Sequence, residues 1–160
     1  MTYRIGPTPH IMVYDTTTQT IAATNTAQVI TFNTTDGTAG ISLVTSGGKA
    51  SRITLPAIGT YIFLVSAVVQ AVGANKACSI WFRKNGSDVT ASNTTVVCLN
   101  NEPTTLAVNI NLNCTTPGDY YELWMGGTDT TAGIYATAAS AGPPAQPSVP
   151  SIIVSVVQVS

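Results

Sequence analysis

The chain has 160 residues, which is enough for one domain to bury a core without metals or disulfides. Apolar residues make up 44% of the sequence, charged residues make up only 8%, and the formal net charge is -1. Ordinary soluble proteins contain roughly 25% charged residues. The sequence offers no basic face, because its cations are scattered apart from Arg83 and Lys84, so we expect no nucleic-acid partner.

The N-terminus has no cationic segment followed by an apolar run and a cleavage site, so we expect no secretory signal. The longest apolar run, residues 61–72, is too short to span a bilayer and contains Ser66 and Gln70. We therefore expect a soluble protein with no membrane partner.

Short runs rich in Val, Ile, Thr, Tyr and Phe alternate with Gly and Pro, a pattern typical of strands separated by turns. No segment has helical periodicity, apart from a possible single turn near Asn75. Asn85 and Gly86 predict a type I′ hairpin, because both residues tolerate a positive φ. The predicted strands span residues 10–14, 19–22, 28–33, 40–44, 51–55, 60–72, 76–84, 88–91, 94–99, 105–114, 119–125, 133–137 and 151–159.

The strands differ in how many apolar faces they have. In residues 105–114 the apolar side chains share one face and three asparagines share the other. Residues 60–72 and 151–159, in contrast, are apolar on both faces. A two-sheet sandwich buries one face of each sheet, and no helix is predicted that could cover the other. A second copy of the chain is the simplest cover, so the pattern predicts an obligate oligomer.

The Pro-rich segment 138–151 is predicted to be an extended connection into the last strand. A linker to a second domain is the alternative. We reject it because a single strand follows, and a lone strand must pair with the preceding sheet.

Three short motifs occur in order: Gly59-x-Tyr61 before a long apolar strand, Arg83-Lys84-Asn85-Gly86 at the end of the next, and Gly118-Asp119-Tyr120 before a late strand. With the strands around them, they resemble the jelly-roll head of the tumour necrosis factor and complement globular-head superfamily. The resemblance covers residues 28–159.

The resemblance implies an all-β fold, an antiparallel two-sheet jelly-roll sandwich with five strands in each sheet, and three protomers around a three-fold axis. Residues 1–14 would form an N-terminal arm and first strand, and residues 15–160 a single jelly-roll domain. The residues expected at the trimer interface are Tyr61, Phe63, Val65, Asn109, Asn111, Ile152, Val154 and Val156.

The sequence contains little that could support catalysis. His10 is the only histidine, so no Ser-His-Asp or Cys-His arrangement with a reserve base can be drawn, and we expect no enzyme activity. Cys78, Cys98 and Cys114 lack the spacing of a metal or redox site and are interpreted as core residues in a reducing cytoplasm. The carboxylates lie beside turn residues and form no dense acidic loop, so we expect neither a metal nor a cofactor.

Two further motifs are open to a functional interpretation. The segment TSGGKA, residues 45–50, lacks the first glycine of a phosphate loop and is interpreted as a hairpin turn. Tyr120, Tyr121 and Trp124 form an aromatic cluster, in which Tyr120 and Trp124 share a face and could serve as a ligand platform for a glycan. Packing of one face of this cluster into the core is the favoured interpretation.

Many phages carry jelly-roll domains of the superfamily that this sequence resembles, on decoration proteins and fibre tips. The first hypothesis is therefore a virion structural protein, a trimeric capsid decoration (cement) protein on the outer surface of a bacteriophage head. Its expected partners are further copies of itself and the major capsid protein or tail proteins, and Tyr3, Arg4 and Ile5 would form a capsid-contact arm. The alternative is a receptor-binding head of a tail fibre or spike that recognises host surface glycans.

Overall fold

A computed structural model describes residues 6–160, so the predicted arm residues Tyr3, Arg4 and Ile5 lie outside the described part of the chain. The described residues form strands joined by turns and loops. In chain order the strands are β1 His10–Asp15, β2 Gln19–Thr20, β3 Gln28–Val29, β4 Thr34–Ala39, β5 Ser42–Ser46, β6 Lys49–Thr54, β7 Gly59–Gln70, β8 Lys76–Lys84, β9 Ser87–Asp88, β10 Thr94–Cys98, β11 Thr104–Cys114, β12 Tyr120–Gly127, β13 Gly133–Ile134 and β14 Ile152–Gln158.

The strands form two antiparallel sheets, here called sheet A and sheet B. In sheet A, β7 pairs with β11 on one side and with β13 and β14 on the other, and β1 and β4 continue the sheet beyond β14. In sheet B the order is β10-β8-β12-β6-β5. Each sheet has seven strands, of which two are only two residues long, so the five longer strands of each sheet agree with the expected five.

The core lies between the two sheets and follows from the period-2 alternation of the longer strands. On β7, every second residue from Tyr61 to Val69 is buried. Phe63 packs edge-on against Phe82 of β8 and Tyr121 of β12, with ring centroids 5.4 Å and 5.3 Å apart. The aromatic side chains of three strands therefore join sheet A to sheet B.

Both predicted hairpins are confirmed. Asn85 and Gly86 have φ values of 50° and 85° and connect Lys84 to Ser87, which are paired across β8 and β9. Gly47 and Gly48, inside the TSGGKA segment, have φ values of 58° and 78° between β5 and β6. The turn at 45–50 is therefore a hairpin, since its glycines supply the positive φ values that such a turn requires.

Strand β4 is absent from the sequence-based prediction. It pairs with β1 along the edge of sheet A, and its burial pattern shows no alternation, because its side chains are exposed or only half-buried. A strand with no buried face has no hydrophobic periodicity to reveal it. No strand was predicted for residues 34–39, and the following strand, predicted at 40–44, spans Ser42–Ser46.

The long connection 138–151 leads into β14, as predicted. It carries isolated bridges between Thr137 and Val149 and between Ser140 and Gln146. Strand β14 then inserts between β7 and β1. The segment after the connection is thus a central strand of sheet A, paired with strands that precede the connection.

Gly133 provides a test of how closely the short strands approach one another. A Cβ at this position would lie 2.3 Å from the carbonyl oxygen of Gln19 and 2.7 Å from Cα of Thr20, and both of these atoms belong to backbone. We expect Gly133→Ala to lower the free energy of unfolding by about 2 kcal/mol, because strands β2 and β13 must separate. Gly142→Ala is the control, since no atom lies within 4 Å of its Cβ position, and denaturant unfolding of both variants measures the difference. Equal stability of the two variants would contradict the close approach.

Candidate functional site: two exposed sheet faces

Along its central strands the outward face of sheet A carries apolar side chains among uncharged polar ones. Leu64 of β7, 46% exposed, lies between Ser155 of β14 and Asn109 of β11. Ile62, two residues before Leu64 on β7, lies between Val157 of β14 and Asn111 of β11. We call this surface the A face and define it by Met12, Ile62, Leu64, Ile153 and Val157.

The A face is not flat. Leu64 separates two shallow depressions, one of about 310 Å³ beside Met12 and Val157 and one of about 380 Å³ beside Ala107 and Ile153. A ridge flanked by two depressions has a shape that can interlock with a matching surface.

The residues predicted for the trimer interface fall on both sides of sheet A. Asn109 and Asn111 lie on the outward face, where their side chains are exposed. The other six, between 0% and 4% exposed, face the core between the sheets: Tyr61, Phe63, Val65, Ile152, Val154 and Val156. For these six the prediction is corrected, because a side chain that packs against sheet B cannot also contact a second protomer.

The sequence-based reasoning missed Ile62, Leu64, Ile153 and Val157 as surface residues, although it recognised that both faces of these strands are apolar. The available signal was residue size. The aromatic residues of β7, Tyr61 and Phe63, are two positions apart and therefore lie on the same face of the strand. The face with the bulkier side chains is the one that fills a sandwich core.

The outward face of sheet B carries alternating aromatic and charged side chains. The guanidinium of Arg83 lies 3.8 Å from the centroid of the Trp124 ring, and that of Arg52 lies 4.3 Å from the centroid of the Tyr120 ring. Glu122, between the two aromatic residues on β12, accepts hydrogen bonds from Arg52 Nε at 3.2 Å and from Trp124 Nε1 at 3.3 Å. Such cation–π and ion-pair contacts stabilise the exposed sheet surface.

The structure thus places Tyr120 and Trp124 on one face, as predicted, but each has a guanidinium against one side of its ring. A sugar stacking on that side would have to displace an arginine that is also bonded to a carboxylate. Tyr121, the third member of the cluster, lies in the core. The favoured interpretation, that one face of the cluster packs into the core, is confirmed for Tyr121.

Trp81, directly opposite Trp124 on β8, is an outward-facing aromatic residue that the sequence-based reasoning missed. Its indole Nε1 donates a hydrogen bond to Asp88 Oδ1 at 2.8 Å, and within residues 6–160 no guanidinium lies over its ring. Trp81 lines a groove of about 570 Å³ on the same sheet. Its outward position could have been inferred from the sequence, because Trp81 lies between Ile80 and Phe82, which face the core, and neighbouring residues of a strand point to opposite faces.

Asp119 is the most heavily hydrogen-bonded carboxylate, and its role is structural. It is 6% exposed and accepts bonds from Lys84 Nζ, Asn85 Nδ2 and the backbone N–H groups of Thr115 and Thr116, at 2.8 to 3.1 Å. Burial raises its pKa, but these donors outweigh the burial and hold the pKa of Asp119 well below its usual range. The Gly-Asp-Tyr motif is thereby linked to the Lys84–Asn85 hairpin.

The remaining candidate side chains lie apart from one another. His10 is exposed, and its Nδ1 lies 2.8 Å from the carbonyl oxygen of Thr8. Cys78, Cys98 and Cys114 are buried and free, as their interpretation as core residues predicts. A hydrogen bond with Cys98 and burial raise the pKa of Cys78, which keeps that thiol protonated. Within residues 6–160 no three His, Cys, Asp or Glu side chains converge as metal ligands would.

Residues 6–160 include no helix that could cross a bilayer. No family model matches the chain, and no curated protein matches it in sequence.

Solved structures, in contrast, match it along nearly its whole length. A crystal structure of murine APRIL at pH 5.0 has a TM-score of 0.56 and 8% sequence identity, and the match covers 95% of this chain and 99% of that one. A second crystal structure of murine APRIL, at pH 8.5, has a TM-score of 0.55 with 8% identity and covers 94% and 98%. Because the identity is so low, the match shows the fold alone. The chain is an all-β, antiparallel two-sheet jelly-roll sandwich with the fold of tumour necrosis factor-like domains.

Proposed function

We propose that the protein is a non-enzymatic structural protein that forms a homotrimer through the A face and decorates the outer surface of a phage capsid. The observation that carries the proposal is the A face itself, an apolar surface on the central strands of a sandwich. Exposed Leu64 and half-buried Ile62 and Val157 gain about 25 cal/mol for each Å² of apolar surface that a partner covers. A second copy supplies a surface of matching character.

Three features support self-association over binding of an unrelated charged partner. The outward positions of β7, β11 and β14 carry no charged side chain, and Asp36, opposite Met12, lies at the β4 edge of the A face. Contact centred on these three strands therefore buries no unpaired ion. Strand β11 lies at the edge of sheet A beside the A face, and its outward asparagines Asn109 and Asn111 can form hydrogen bonds across an interface. The low charge content of the chain also agrees with a surface that is partly hidden in an oligomer.

Placement on a capsid rests on the resemblance to phage decoration domains. The outward face of sheet B is polar and pairs its charges within the chain, so a trimer assembled through sheet A would present sheet B to its surroundings. A tail-fibre or spike head that binds host receptors is the second candidate, and it would use the same trimer.

The trimer is tested by a charge placed on the A face. We expect light scattering to give a trimer for the wild type and a monomer for Leu64→Glu at micromolar protein, because the carboxylate would be buried in the interface. Val97→Glu is the matched control, since Val97 is 56% exposed on β10 of sheet B, and it should remain trimeric. A monomeric wild type, or a trimeric Leu64→Glu, would overturn the interface.

The capsid role is tested separately with virions that lack the protein. We expect their heads to rupture at lower temperature or on osmotic shock, while adsorption to host cells is unchanged. Heads of normal stability together with lost adsorption would refute the decoration role and favour the receptor-binding head.

A further inference from the structure

The outward face of sheet B contains a groove that the proposed function does not use. Its floor consists of small residues, Gly126 and Gly127 of β12 and Ala77 and Ser79 of β8. Its walls are the loops at residues 25–27 and 88–93. The volume of about 570 Å³ lies within the range of roughly 300–1,000 Å³ that small-molecule sites occupy.

An aromatic ring borders the floor of this groove. Trp81 Cη2 lies 3.4 Å from the position that a Cβ would take at Gly126, so the six-membered ring lies beside the backbone there. A Cβ at position 126 would be in van der Waals contact with the ring, so the glycine allows the indole to lie close to the backbone of β12. The indole is also fixed by its hydrogen bond to Asp88. The groove thus offers a flat apolar surface next to a shallow floor.

The walls are anchored by hydrogen bonds from buried or backbone groups. The backbone N–H of Asn25 donates a hydrogen bond to the carbonyl oxygen of Gly127 at 2.8 Å. On the other side, Ser92 is 5% exposed, and its Oγ accepts from the Phe82 amide at 3.0 Å and donates to the Val89 carbonyl oxygen at 2.8 Å. A groove with anchored walls loses little conformational entropy when a ligand enters.

Several polar groups in the groove are uncommitted among the described residues. The side chains of Asn25, Asn93 and Thr128 are exposed and make no recorded hydrogen bond within residues 6–160. Asp88 uses Oδ1 for its bonds to Trp81 and Arg83, which leaves Oδ2 available. Amide, hydroxyl and carboxylate groups together can both donate to and accept from a ligand with many hydroxyl groups.

The lining of the groove includes no cation that would attract an anionic ligand. Asp88 is its only charged lining residue. The nearby cations are engaged, because Arg83 Nε lies 2.6 Å from Asp88 and Lys76 Nζ lies 2.8 Å from Asp129. An acidic ligand would therefore gain no ion pair with an unpaired cation in the groove.

We propose that this groove binds a neutral carbohydrate, with one pyranose ring stacked on Trp81 and its hydroxyl groups hydrogen-bonded to Asn25, Asn93 and Asp88. A sugar ring combines an apolar C–H face with a polar rim, and the groove places an aromatic ring beside polar side chains in the same way. This function does not depend on the proposed capsid role, because the groove lies on sheet B and the A face on sheet A. A decorated capsid with this site would attach weakly to glycan-bearing surfaces.

The test begins with the full chain on an array of neutral glycans and their sialylated counterparts. Hits are then titrated as free oligosaccharides, with lactose and sialyllactose as one matched pair, and followed by amide chemical shifts. We expect neutral glycans to bind at least tenfold more tightly than sialylated ones. The shift changes should be centred on residues 25–27, 79–81, 88–93 and 126–128.

The variants separate this groove from the predicted platform on Tyr120. Trp81→Ala should weaken binding at least tenfold, Trp81→Phe should retain most of it, and Asn93→Ala should weaken it severalfold without affecting the fold. Tyr120→Ala, on the same sheet face but outside the groove, should bind normally.

The proposal is wrong if no neutral glycan binds at millimolar concentration. It is equally wrong if binding survives both Trp81→Ala and Asn93→Ala in folded protein, or if Tyr120→Ala alone abolishes it. Light scattering of the same samples reports the trimer independently, so that failure of the glycan site and failure of the A face can be told apart.

Discussion

Phe63→Ala is expected to lower the free energy of unfolding by about 4 kcal/mol. Phe63 is fully buried and has edge-on contacts with Phe82 and Tyr121, so its removal leaves a cavity where the two sheets meet. Loss of a buried aromatic side chain costs about 3–5 kcal/mol, since both the transfer energy and the cavity contribute. Total stability of about 5–15 kcal/mol is typical of a domain, so this single substitution would remove a large share of it.

Denaturant unfolding measures this effect, and two further variants calibrate it. Phe63→Leu keeps an apolar side chain but loses both aromatic contacts, so its cost should be about 1–2 kcal/mol. Val97→Ala, on the exposed side of β10, should cost about 0.5 kcal/mol or less. If Phe63→Ala were no more destabilising than Val97→Ala, Phe63 would not lie in the core, and the assignment of the two faces of β7 would be reversed.

Asp119→Asn is expected to destabilise the fold by about 3 kcal/mol at pH 7. The carboxylate accepts bonds from Lys84, Asn85, Thr115 and Thr116, and an amide cannot accept from all of them. The Lys84 ammonium would lose its anionic partner. Asp36→Asn is the control, because Asp36 is exposed on the edge strand β4, and it should be close to neutral.

The effect of Asp119→Asn depends on pH in a defined direction. Because the pKa of Asp119 is depressed in the folded chain, the unfolded chain binds more protons at low pH, and folding is favoured as the pH rises. The contribution is fully present above the unfolded pKa of about 3.9 and is lost as the pH falls through the folded pKa. The stability difference between wild type and Asp119→Asn should therefore shrink from pH 6 to pH 2, as measured by urea unfolding at each pH. A difference that is constant with pH would contradict the role of the charge.

The sequence predicted most of the longer strands because their buried faces impose a period of two. Residues 76–84 were placed with the observed bounds, and the hairpins at Asn85-Gly86 and Gly47-Gly48 followed from glycine and asparagine chemistry. Strand β4 escaped prediction because none of its side chains is buried. Local sequence carries a strand signal only where a face must be covered.

Side chains that are adjacent in sequence acquired different roles through pairing with distant strands. Arg83 and Lys84 are neighbours, yet Arg83 lies over Trp124 on the surface and Lys84 reaches the buried Asp119. Both partners lie on or just before β12, more than thirty residues away in sequence. Nothing in the local pattern specifies these partners, because the register between β8 and β12 decides which side chains meet.

By itself the sequence determined that the protein is all-β and that β7 and β14 are apolar on both faces. Only the tertiary structure decided which face of each strand fills the core, because alternation separates two faces without saying which of them meets the other sheet. That decision moved the expected interface from Tyr61, Phe63 and Val154 to Ile62, Leu64 and Val157. The Trp81 groove was likewise decided in three dimensions, since its floor and walls come from segments that only the packing of sheet B brings together.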